Sequence, residues 1–111
     1  MDENATQKFD ADAIADCLVR LYDQEFGGSR RGRFRISMKL MKKIAGRGRL
    51  HSTQVRAVAD EVFERGLVLV DLETFFVVLS QRVFVNYRRV NEASLERSLG
   101  RHAAEQAQAD H

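Results

Sequence analysis

The spacing of the apolar residues changes at Gly66, and that change restricts the fold more than any other feature of the chain. Before it, Val55, Val58, Ala59, Val62 and Phe63 follow the i, i+3, i+4, i+7, i+8 spacing of an amphipathic helix. After it, Leu67 to Val70 and Phe75 to Leu79 are runs of β-favouring residues on either side of a polar turn from Asp71 to Thr74, the pattern of a hairpin. Ser52 or Thr53 can cap the helix, and Gly66 can end it by adopting the left-handed conformation of a helix stop. A helix that runs directly into a hairpin places the chain in the α+β class. At 111 residues, it has room for one domain of that kind.

Two more helices are expected upstream. From Asp10 to Phe26, Ile14, Cys17, Leu18, Leu21 and Tyr22 recur at spacings of three and four, and Gly27, Gly28 and Ser29 end the stripe. Arg31 to Ile36 then alternates arginine with small or apolar residues, which suits a short half-buried strand with its arginines on one face and Phe34 and Ile36 on the other. Ser37 can cap a second helix from Met38 to Ala45, and Gly46 stops it. On that helix Leu40, Met41 and Ile44 fall to one side with Ile36. Arg35, Lys39, Lys42 and Lys43 fall to the other. A further strand is expected from Val83 to Tyr87, and then a last helix capped by Asn91 with Leu95 and Leu99 on one side. The domain is expected to span 10–99, between a flexible N-terminus, 1–9, and a flexible tail, 100–111.

Net charge conceals the most informative feature of composition. The total is +2, yet residues 1–25 carry −5, residues 26–59 carry +10 and residues 60–111 carry −3. The middle window holds Arg30, Arg31, Arg33, Arg35, Lys39, Lys42, Lys43, Arg47, Arg49 and Arg56 without one carboxylate. Ordinary solvated surfaces interleave both signs. A run of one sign calls for an anionic partner, and phosphate is the natural one. The alternative is internal neutralisation by the acidic N-terminal segment.

Several kinds of chemistry find no support. Cys17 is the single cysteine, so no intrachain disulfide or multi-cysteine metal cage can form. Its place on the apolar stripe of the first helix suits a small buried hydrophobe, as core positions suit Met38 and Met41. Of the histidines, His102 and His111 fall in the expected tail and His51 in a loop. No catalytic or metal site is therefore expected, and no cofactor. Gly27-Gly28-Ser29 and Gly46-Arg47-Gly48 lack the spacing of a phosphate loop. No apolar run is long enough to cross a bilayer, and the first residues, MDENATQKFD, have neither the basic nor the apolar region of a signal peptide. The expected compartment is the cytoplasm.

The order helix, short basic strand, helix, helix, hairpin resembles the winged helix-turn-helix superfamily. The stretches RISMKLMKKIAG, LHSTQVRAVADEVFERG and LVLVDLETFFVVL carry the resemblance over about half the chain. The chain is also similar, less specifically, to small winged-helix proteins of bacterial mobile elements and phages. The resemblance implies three helices with a C-terminal β-hairpin or three-stranded wing sheet, and a third helix that enters the major groove of double-stranded DNA. Ser52, Thr53, Gln54 and Arg56 would then read bases. Their chemistry suits that task, since arginine recognises guanine and glutamine adenine. Arg31, Arg33, Arg35, Lys39, Lys42, Lys43, Arg47 and Arg49 would hold phosphates.

The wing tip bears Asp71 and Glu73 where a wing that touches DNA would carry bases. It is therefore expected to serve structure or dimer formation. Apolar residues of both parities along Leu67 to Leu79 exceed what one side of a single sheet can bury, and imply a homodimer built from the strands from Leu67 to Val85 and the first helix. Two functions from different classes follow. One is a DNA-binding regulator or mobile-element accessory factor. The other is a protein-interaction module, an inhibitor or adaptor of a nucleic-acid enzyme on the same scaffold, and not an enzyme itself.

Overall fold

A computed structural model describes residues 8–25, 28 and 30–109. Within them the chain is α+β, with a three-stranded antiparallel sheet. The first helix, α1, runs Ala11–Tyr22, with Asp10 capping it by accepting from the Ala13 backbone N–H at 3.0 Å. It ends sooner than the apolar stripe suggests, and Phe26, Gly27 and Ser29 lie outside the described residues. Strand β1 is Phe34–Ser37, with Phe34 and Ile36 buried and Arg35 exposed. Arg31 and Arg33 precede the strand rather than forming part of it. Helix α2, Met38–Ala45, has the expected limits. Ser37 Oγ accepts from the Leu40 N–H at 3.2 Å, and Gly46, at φ 66°, closes the other end.

Helix α3 is Ser52–Glu64, with His51 rather than Ser52 or Thr53 at its cap position. Strands β2, Leu67–Asp71, and β3, Phe75–Ser80, form the hairpin. The sheet order is β1-β3-β2, so its third strand is the basic strand β1. The expected strand from Val83 to Tyr87 is replaced by a 3-10 helix, Gln81–Asn86. Side-chain capture explains this. Ser80 Oγ accepts from the Arg82 N–H at 3.2 Å, and Gln81 Nε2 donates to the Phe63 carbonyl at 2.6 Å, turning the chain out of the sheet.

The last helix is longer than its two leucines require. Helix α4 runs Glu92–Ala109, so the helix starting at the Asn91 cap continues through Gly100 and much of the stretch expected to be flexible. At the other end, residues 1–7 lie outside the described part, whereas Phe9 packs against the core beneath Arg47, whose guanidinium carbon is 5.6 Å from the ring centre.

The core joins Ile14, Ala15 and Leu18 of α1 to Met41, Val58 and Val62 of α2 and α3. Phe34, Ile36, Leu67, Phe76 and Val78 complete it from the sheet. Phe63, expected on the buried stripe, is exposed, while its neighbour Val62 is fully buried. Cys17 is half-buried. The hairpin register pairs Leu69 with Val78 and Val70 with Val77. Leu67, Leu69, Phe76 and Val78 therefore share the core face, and Val68, Val70, Phe75, Val77 and Leu79 share the outer one, a different grouping from that given by position parity along both strands.

Arg65 fastens α1 to the end of α3. Its guanidinium bonds Asp12, Asp16 at 3.1 Å and Glu61 at 2.9 Å. Hydrogen bonds to Glu61 and then Asp12 hold its pKa above the ordinary arginine value. At the hairpin tip Glu73 has φ 71°, a left-handed conformation unfavourable for a side chain of its type. Asp71 supports it by accepting from the Glu73 N–H at 2.9 Å. Replacing Glu73 by Asn, which tolerates this conformation, raises stability by up to about 1 kcal/mol, measured as a higher midpoint in urea.

Candidate nucleic-acid interface

Helix α2 carries its bases on the side away from Met41. Lys39 and Lys43 are exposed, Lys42 is half-buried, and the loop after Gly46 brings Arg47 beside them. Lys39, Lys42, Lys43 and Arg47 line one open depression. Arg49 is exposed farther along the loop that leads into α3. The structure thus gathers part of the predicted phosphate set. Arg35 stands apart from that depression, on a groove between α1, β1 and α2 that Lys43 also borders. Arg31 and Arg33 are exposed ahead of β1.

The described acids of the N-terminal segment form no salt bridge with eight bases of the acid-free window. Among the described residues, Arg31, Arg33, Arg35, Lys39, Lys42, Lys43, Arg49 and Arg56 make no salt bridge. Asp12 and Asp16 of α1 are engaged by Arg65 instead. Lys39, Lys42, Lys43 and Arg49, like in charge and without salt bridges among the described residues, keep their repulsion until an anion arrives.

The start of α3 presents Ser52, Thr53 and Arg56 to solvent. No acidic residue occupies its first turn, so no local carboxylate offsets the positive end of the helix. Gln54 has a second task that sequence reasoning missed: its Oε1 accepts from the His51 backbone N–H at 2.9 Å. That is half of a capping box, and the signal for it was the glutamine three residues after the cap position. Bidentate recognition of adenine uses this same oxygen, so to contact a base Gln54 would have to share it or release the helix start. Arg56 has no such tie. Further along the exposed face come Asp60, Phe63 and Glu64, which confine any contact with phosphate to the first turns.

Among the described residues no group of His, Cys, Asp and Glu is placed to hold a metal ion, and no helix is long and apolar enough to cross a membrane. Compared with protein-family models, curated proteins and solved structures, the chain matches none. Its function has to be read from its own residues.

Proposed function

We propose that this is a small double-stranded DNA-binding protein of the winged-helix type, acting as a transcriptional regulator or as an accessory factor of a mobile element. The observation that carries the reading is the cationic surface of α2 and the following loop, free of acid in sequence and of salt bridges to Lys39, Lys42, Lys43 and Arg49 in space. The element order and the β1-β3-β2 sheet support the winged-helix assignment. Lys39, Lys42, Arg47 and Arg49 dock on phosphates, and the start of α3 reads base edges through Arg56, Thr53 and Ser52.

The two groups fail differently when altered. Lys39→Gln with Lys42→Gln weakens binding to every duplex alike, whereas Arg56→Ala costs about 1–3 kcal/mol on the preferred site and little elsewhere. Titrating a selected and a scrambled duplex with each variant tests this. A change of preference from the lysine pair alone reverses the roles. No binding of the unmodified chain to duplex at low salt favours the second reading, a protein-interaction module, to which the acidic hairpin tip at Asp71 and Glu73 is suited.

A further inference from the structure

Helix α4 lies largely in solvent among the described residues. None of its residues is buried, and Leu95 and Leu99, one turn apart, are 49% and 58% exposed. Helices in proteins draw most of their stability from packing an amphipathic face rather than from propensity. On the globular body, an open apolar groove of about 480 Å³ lies between α1, β1 and α2. Cys17, Leu21, Ile36 and Ile44 form its walls, and Leu40 stands half-exposed on its rim.

The two surfaces match in charge as well as polarity. Arg35 and Lys43 border the groove, and both are exposed without a salt bridge. Beside the leucines of α4 lie Glu92 and Glu96, at helical spacings that give one continuous face of Glu92, Leu95, Glu96 and Leu99. These glutamates also make no salt bridge among the described residues.

We infer that the chain forms a homodimer by reciprocal exchange of α4, each helix seating Leu95 and Leu99 in the groove of the second copy with Glu92 and Glu96 against Arg35 and Lys43. No described residue of α4 is buried against its own body, and the chain that leads toward it is fixed at the end of β3. Gln81 Nε2 bonds the Phe63 carbonyl, its backbone N–H bonds the Gly66 carbonyl at 3.1 Å, and Ser80 caps the 3-10 helix. Reciprocal exchange is closed by two-fold symmetry, so it ends at two copies. The interface lies away from the outer face of the hairpin, where apolar content alone would put it. It divides α2 into two faces, with Leu40, Ile44 and Lys43 toward the partner and Lys39 and Lys42 open.

Sedimentation of the full chain without DNA tests this independently of the DNA-binding reading. The unmodified chain runs as a dimer at micromolar concentration, and Leu95→Ala with Leu99→Ala runs as a monomer whose circular dichroism keeps the signal of a folded body. Arg35→Glu with Lys43→Glu weakens association at least about tenfold, and adding Glu92→Lys with Glu96→Lys to that chain restores it. A monomer throughout the concentration range overturns the inference. So does a dimer indifferent to the leucine pair, or a failure of the fourfold charge exchange to restore association.

Discussion

Binding to duplex DNA falls about 500-fold when monovalent salt rises fourfold, if about five phosphates are contacted, because each contact adds about −0.9 to the slope of log K against log salt. On the proposed function the contacts would be drawn from Lys39, Lys42, Arg47 and Arg49, with Arg31 and Arg33 ahead of β1 within the same acid-free stretch. Neutralising Lys39 and Lys42 lowers the steepness of the slope by up to about 1.8. Fluorescence anisotropy of a labelled duplex over a salt series measures both. A slope near zero rules out phosphate docking, whatever the affinity. A steep slope left unchanged by the lysine pair moves the contact surface off α2.

Phe76→Ala destabilises the fold by about 3–5 kcal/mol, a large part of the total stability of a small domain. Phe76 is fully buried in the central strand, paired with Ile36 on β1 and facing Ile14, Met41 and Val58 across the core. Truncation removes the side chain that all three helices and the sheet share, and the sheet cannot collapse into the space without losing its pairing. Thermal denaturation followed by circular dichroism reads the effect as a fall in Tm of well over 10 °C, since about 1 kcal/mol shifts a domain of this size by roughly 4–8 °C. Val85→Ala, on a side chain 79% exposed, leaves Tm nearly unchanged and serves as the control.

The cationic surface was legible as residues but not as a geometry. Arg35 and Lys39 are near neighbours in sequence, yet Arg35 borders the groove beside α1 while Lys39 joins Lys42 and Arg47. The chemistry of Gln54 suits base reading, and only its contact with His51 shows that the oxygen it would use is engaged.

Local interactions are what the sequence by itself determined. Helix α2 begins at a serine cap and ends at a left-handed glycine, and the hairpin turns at Glu73, because caps, stops and turns depend on residues within four positions of each other. Tertiary structure decided what depends on distant residues. The face of each strand follows from pairing register, and here every β2 residue opposes a β3 residue of the other parity, which puts Leu69 with Val78 inside and Val70 with Val77 outside. The apolar run from Val83 to Tyr87 has strand-forming residues, yet hydrogen bonds from Gln81 to the Phe63 carbonyl and from the Arg82 N–H to Ser80 Oγ carry it out of the sheet. The acids of α1 could have neutralised any base in the chain; the packing of α1 on α3 gave Asp12 and Asp16 to Arg65 and left the bases of α2 without salt bridges. Period and capping are short-range properties written into neighbouring residues, whereas register and ion pairing are settled only when elements far apart in sequence are packed together.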